Sequence, residues 1–232
     1  VLTQERFLEL PDVPTVDFFM IDEFYKLGTH NPDDQRMSML NIAWNRLRST
    51  GAQYYLTGPN VHSLAKTLDA DLRESLHVSN YRTVAVDVED RSNVADDARN
   101  EDMATYWAEL EGSTLVFVSA PTRAERTAVE LSQFPTMKKP TEFASKVSEW
   151  LANNYHQSWH IIEALRGGTA THTGPMPRSL QRIMIRLFGH GDISTMVCTT
   201  TLIEGVNTSA KNVIIYDKKI DRKPIDYFTF SN

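Results

Sequence analysis

Asp22 and Glu23 stand side by side at the end of the apolar run Val16-Asp17-Phe18-Phe19-Met20-Ile21. Two adjacent carboxylates can divide the work of nucleotide hydrolysis. An Asp holds a magnesium ion through its water shell, and a Glu orients or deprotonates an attacking water. A run of this kind reads as a buried parallel strand. Ligands of open α/β sheets gather at the carboxyl ends of such strands. The same residues also fit a strand that ends in a solvated acidic turn, and the stretch alone does not separate the two readings.

A second stretch with chemical potential runs from Met196 to Asn207. Its apolar start leads into Thr199-Thr200-Thr201, and Gly205 and Asn207 follow. Hydroxyls and backbone N–H groups beyond a strand suit phosphate oxygens, and glycine permits close backbone approach. An ordinary polar loop with capping threonines fits these residues too. His156 and His160 are four apart, a spacing that suits metal ligation on a helix. No Glu or Cys completes a set, and Gln157 stands where a zinc peptidase needs Glu, so a solvated helix face is the better reading. Cys198 is the only cysteine; it excludes an intrachain disulfide and reads as a core residue, in keeping with a reducing cytoplasm.

These residues need a scaffold of alternating strands and helices. Strands are expected at 16–21, 52–57, 82–88, 113–119, 168–172, 193–198 and 212–216. Helical spacing joins Met37, Leu40, Ala43, Trp44 and Leu47. It also joins Phe143, Val147, Trp150, Leu151 and Tyr155, on a segment opened by Pro140. A third helix is expected from Arg178 to Phe188, stopped by Gly189 and Gly191. The alternation predicts an α/β protein with parallel sheets covered by helices. The four tryptophans fall in helical patterns, and no base stacking is assigned to them. Residues 87–102 are strongly acidic and suggest a solvated linker between two α/β units.

Composition narrows the function classes. With 232 residues, 41% hydrophobic and 23% charged, the chain fits a soluble globular protein of one large or two ordinary domains. A net charge of −6 excludes a uniformly basic nucleic-acid binder but leaves room for local basic grooves. No apolar run is long enough for a membrane span, and no signal peptide is visible at the start. The opening at Val1, almost directly into a strand pattern, suggests a segment of a longer protein.

Taken in order, the stretches resemble the conserved segments of superfamily 2 helicases of the DExH/DEAD-box type, in particular the Ski-like branch. Thr3-Gln4-Glu5-Arg6 is similar to motif Ib, and Asp22-Glu23-Phe24-Tyr25 to motif II, the Walker B box. Leu56-Thr57-Gly58-Pro59 stands at the place of motif III, and Leu115-Val116-Phe117-Val118-Ser119 resembles motif IV. Thr171-His172-Thr173-Gly174-Pro175-Met176-Pro177-Arg178 resembles the His-Gly-Pro-Arg segment, and Thr199 to Asn207 resembles motif V. Two positions depart from the pattern. Tyr25 closes a box that usually ends in Asp or His, and Gly58-Pro59 replaces the end of a Ser-Ala-Thr motif. Motif I, a Gly-Lys-Thr loop, does not occur in the sequence, and the arginine-rich motif VI is expected beyond Asn232.

The resemblance implies two RecA-like units, the first incomplete at its N-terminus. Residues 1–90 would belong to the first, 91–107 to an acidic linker region, and 108–232 to the second. It implies ATP and Mg2+ as cofactors in an inter-domain cleft, and a single-stranded nucleic acid, DNA or RNA, as partner. Protein partners in a larger complex and a cytoplasmic location are in keeping with it. Asp22 would hold the Mg2+ through water, Glu23 would be the base, and Gly205 and Asn207 would lie near the nucleotide. Tyr25 and Thr57 would couple the nucleotide to movement. Thr3, Arg6, Ser119, Arg123, His172, Arg178, Thr199 and Thr200 would touch the strand backbone. Arg123 and Arg178 fit equally as surface arginines at helix starts. The activity implied is that of an ATP-dependent helicase or translocase, with this segment inactive alone. The alternatives are a non-catalytic nucleic-acid or assembly platform on the same fold, and another P-loop ATPase that shares only the Walker B strand.

Overall fold

The computed structural model describes residues 1–28, 35–58, 61–64, 70–79, 86–95, 97–203, 208–220 and 223–225. The chain divides into two compact units, Val1–Ala85 and Val86–Asn232. Both are α/β, and each holds a parallel sheet with helices packed on it.

The first unit contains α1 (Gln4–Leu8), β1 (Phe18–Ile21), a 3-10 turn (Phe24–Gly28), α2 (Gln35–Arg48), β2 (Gln53–Leu56) and α3 (Ala70–Glu74). β1 and β2 pair in parallel, with Phe18 opposite Gln53 and Ile21 opposite Leu56. Period-2 alternation gives the sheet two unlike faces. Phe19, Ile21, Tyr54 and Leu56 pack with Leu40, Trp44 and Leu47 of α2. Trp44 meets Phe19 and Tyr54 edge-on, at 5.9 and 5.1 Å between ring centres. On the other face Phe18, Met20 and Tyr55 are exposed. The run 16–21 is therefore buried on one side only within this unit, although its unbroken apolar character predicts cover on both.

The second unit contains α4 (Arg99–Trp107), β3 (Thr114–Phe117), α5 (Pro121–Ser132), α6 (Glu142–Asn154), α7 (His160–Arg166), β4 (Thr169–His172), α8 (Arg178–Gly189), β5 (Thr195–Cys198), α9 (Thr200–Ile203), β6 (Asn212–Ile215) and the short pair β7 (Lys219–Ile220) and β8 (Lys223–Pro224). Four strands form a parallel sheet in the order β4-β5-β3-β6. Burial on both faces produces two core layers. Leu115, Ala170, Met196 and Cys198 face a layer built by α6, α7 and α8, with Leu151, Ile162, Met184 and Leu187. Val116, Val118 and Val197 face a layer with Ala124, Ala128 and Leu131 of α5.

Several expectations change in detail. The sequence stripe on α6 includes Phe143 and Trp150, yet both are exposed; Ala144, Ser148 and Leu151 make the buried face. Small residues pack closest here, and the aromatic rings lie outside. Residues 86–88 carry no strand, and 82–85 lie outside the described residues. Within the acidic stretch, α4 buries Met103 and Trp107 against Val116 and Val118 of the second unit. Arg91 pairs there with Glu89 and Asp102, each at 2.7 Å. His156 and His160 do not share a helix, because His156 precedes α7 and His160 opens it. Among the described residues no cluster of three or more His, Cys, Asp or Glu could hold a metal ion, and no helix is long and apolar enough to cross a membrane.

Candidate nucleotide and nucleic-acid sites

In the first unit the ladder between β1 and β2 continues one step past the strands. Thr57 N–H donates to the Ile21 carbonyl at 2.9 Å, and Phe24 N–H donates to the Thr57 carbonyl at 3.0 Å. This brings residue 57 beside residue 22. Thr57 Oγ1 donates to Asp22 Oδ1 at 2.7 Å, and Glu23 N–H donates to the same oxygen at 2.9 Å. The exposed Asp22 carboxylate is thus oriented by two donors on one oxygen. Its Oδ2 accepts no hydrogen bond among the described residues, so the group fits a water-shelled divalent cation.

Glu23 is the one non-glycine residue with positive φ among the described residues, at 55°. Such backbone is uncommon outside glycine and concentrates at functional sites. Glu23 Oε2 pairs with Lys26 Nζ at 2.7 Å, and Tyr25 Oη donates to Oε1 at 3.4 Å. Lys26 N–H donates to the Glu23 carbonyl at 3.0 Å, which closes the 3-10 turn on the acid itself. Gly58 lies against this turn. A Cβ there would stand 3.2 Å from the Tyr25 ring and 3.3 Å from Phe24, tighter than ordinary packing. The lack of a side chain at Gly58 therefore leaves room for the ring at position 25. Lys26 is absent from the sequence reading; a lysine three residues past an acid in a short turn is the signal that could have found it.

Further residues of the first unit are simpler. Thr3 caps α1, its hydroxyl accepting from Arg6 N–H at 3.4 Å. Thr3 and Arg6 are both exposed. Pro59 lies outside the described residues.

In the second unit the candidate residues follow the carboxyl ends of β3, β4 and β5. After β3, Ser119 donates to Asp217 Oδ2 through both its N–H and its hydroxyl, each at 2.8 Å. Arg123, in the first turn of α5, pairs with Asp217 Oδ1 at 3.2 Å. Asp217 is 7% exposed, and no sequence motif marks it. It follows β6, the strand that pairs with β3, which is what delivers it to Ser119. The guanidinium groups of Arg99 and Arg123 lie 5.3 and 5.5 Å from the Tyr216 ring centre. A polar depression of about 290 Å³ opens beside them, lined by Thr122, Arg123, Arg126, Thr127, Glu130 and Tyr216.

At the end of β4, His172 is buried, and its Nδ1 has no hydrogen-bond partner. Burial holds its imidazole below the usual 6.5, so it is neutral. Arg178 is exposed at the start of α8. Gln181 of α8 donates to the Thr173 carbonyl at 2.8 Å and fixes the loop between. After β5, Thr199 is buried and Thr200 half-buried; the Thr199 hydroxyl is 3.3 Å from that of Thr201. Gly174 lies next to Thr201, so the loops after β4 and β5 are brought together. Gly205 and Asn207 lie outside the described residues. Cys198 is fully buried, and desolvation pushes its thiol up to about 12, which makes it chemically inert.

No protein-family model matches the chain. Its whole length is 36% identical to part of the anti-bacteriophage protein B of Escherichia coli, covering 33% of that protein. Over 88% of its length it is 28% identical to the ATP-dependent DNA helicase Hel308 of Pyrococcus horikoshii, covering 29% of it. Over 87% it is 29% identical to Hel308 of Thermoplasma volcanium, covering 30%. The chain thus spans about a third of the length of the curated relatives it matches. By sequence it is a helicase-related α/β segment, homologous along most of its length to DNA helicases.

Proposed function

We propose that the chain is the segment from motif Ib to motif V of an ATP-dependent nucleic-acid helicase or translocase of the Ski-like branch. The observation that carries this reading is the Asp22 carboxylate, held at the end of β1 by Thr57 from the neighbouring strand, with Glu23 beside it in a left-handed backbone. A strand-end acid aimed by a hydroxyl from the next strand suits a magnesium–nucleotide, and Mg2+ would neutralise charge on the phosphates when bound. Asp22 would hold the cation through water, with Oδ2 facing it. Glu23 would accept the proton of the attacking water. Tyr25 and Thr57 touch the two acids and would relay their state. Gly205 and Asn207 belong to the nucleotide site in this reading.

The strand backbone would meet Thr3 and Arg6 in the unit assigned to residues 1–90, and Ser119, Arg123, Arg178 and Thr200 in the unit assigned to 108–232. Asp217 aims Ser119 and Arg123, so their contacts would be made from a fixed position. His172 and Thr199 are buried and would support the strand site from beneath. The names of the relatives favour DNA as the strand.

The test is Glu23→Gln in the longer protein that contains this chain. Strand-stimulated ATP turnover is expected to fall by about 100-fold or more, the scale of a lost general base. Binding of ATP is expected to persist. Turnover close to wild type would reject the assignment and favour a non-catalytic platform.

A further inference from the structure

The proposed base, Glu23, is partly exposed, and its carboxylate is already engaged by neighbouring donors. Both oxygens of Glu23 are engaged by the turn that follows it, Oε2 by the Lys26 ammonium at 2.7 Å and Oε1 by the Tyr25 hydroxyl at 3.4 Å. The two charged side chains are about one-third exposed, so solvent screens the pair in part. The turn is short, and its own backbone bond from Lys26 N–H to the Glu23 carbonyl keeps position 26 over position 23. Glu23 itself takes a positive φ of 55° at the head of that turn. Each oxygen keeps a second lone pair, but the Lys26 ammonium holds the charge of Glu23, so a water that is to give it a proton competes with Lys26.

We propose that Lys26 is a latch on Glu23, a positioning residue that withholds the base until bound nucleotide draws the ammonium away. This rests on the reading of Glu23 as the base. The attraction that would release the latch is electrostatic: the phosphates of ATP offer Lys26 a more highly charged partner than one carboxylate. Glu23 would then be left with its weaker contact to Tyr25 and free to face water. Lys26 thereby couples the readiness of the base to occupancy of the nucleotide site.

The experiment compares wild type, Lys26→Met, Lys26→Arg and Glu23→Gln in the longer protein. ATP turnover is measured with and without single-stranded DNA, and binding of a fluorescent ATP analogue is measured apart from turnover. Partly exposed ion pairs are weak, so in the ATP complex the ammonium exchanges between Glu23 and the phosphates and still holds the base for part of the time; Lys26→Met is therefore expected to raise strand-independent turnover about two- to fivefold. It should also weaken analogue binding, because the phosphates lose a cation. Lys26→Arg should restore both values toward wild type. Unchanged or lower strand-independent turnover in Lys26→Met, with Glu23→Gln inactive, would overturn the latch and leave the base assignment standing. Turnover retained in Glu23→Gln would overturn the base assignment, and the latch with it.

Discussion

A hydrogen bond between exposed groups adds little stability, so the contact of Thr57 with Asp22 matters for direction. It fixes which oxygen of Asp22 is occupied and which faces outward. His172 presents the opposite case, a buried titratable ring that makes no side-chain bond through Nδ1. Its folded-state pKa is depressed by burial below the usual 6.5. Above about pH 6.5 the ring is neutral in both folded and unfolded chains and adds no pH dependence. As pH falls below that value, the unfolded chain takes up a proton that the folded chain refuses, and stability is lost. The melting temperature of wild type relative to His172→Gln is therefore expected to fall between pH 7.5 and pH 5.5. A wild-type advantage that grows over that range would mean that folded His172 gains a proton and a partner, against this account. The residues at strand ends were legible because an apolar run followed by acids or threonines is a local signal. Lys26 and Asp217 were not. Lys26 acts through a side chain that curls back, and Asp217 reaches Ser119 across 98 positions of sequence through the pairing of β6 with β3.

At the scale of elements, the strands were the readable part. Six of the expected strand windows contain an observed strand, because two-sided burial in the second unit demands unbroken apolar segments such as Leu115–Val118. Helices α5 and α7 were less visible. The buried face of α5 rests largely on Ala124, Thr127 and Ala128, which carry little hydrophobic signal, and α7 is only seven residues long, too short for its Ile161, Ile162 and Leu165 to show a helical period. Small residues there let α5 and α7 pack closely and bring the Gly167-Gly168 turn against the 132–140 segment. Gly168 has φ of 92°, and a Cβ at that position would overlap the Lys138 carbonyl oxygen. The turn also launches β4, which ends at His172. Gly168→Ala is expected to cost more than about 1 kcal/mol from its backbone alone, and the overlap with Lys138 adds to this. Chemical denaturation would show the loss as a lower midpoint. Gly189→Ala is the control, since a Cβ at Gly189 meets nothing within 4 Å and its φ is not positive. Equal midpoints for the two variants would remove the steric argument.

The two units differ in what they can support alone. The largest fully buried side chains, from Phe117 and Leu131 through Leu151, Ile161, Leu180 and Leu187 to Met196, all belong to the second unit. Strands β3, β4 and β5 of its sheet are packed on both faces, and only the edge strand β6 leaves Val213 and Ile215 exposed. Among the described residues the first unit has a two-stranded parallel sheet, and its buried cluster of Phe19, Ile21, Trp44 and Leu72 retains 8–9% exposure at each residue. Phe18, Met20 and Tyr55 stay bare on the other face. Parallel sheets are stable where both faces are covered, and two strands alone bury too little to offset the entropy of ordering the chain. Residues 86–232 expressed alone should therefore give a single cooperative thermal transition and slow amide exchange in β3 and β5. Residues 1–85 alone should melt without cooperativity, with Trp44 fluorescence close to that of a solvated indole. A cooperative transition from 1–85, or rapid exchange throughout 86–232, would overturn this assignment of stability. The Asp22–Thr57 contact sits in the weaker unit, on strands that lack cover on one side. Its geometry in solution thus depends on whatever layer completes that sheet, and tests of Glu23 and Lys26 belong in the longer protein for that physical reason.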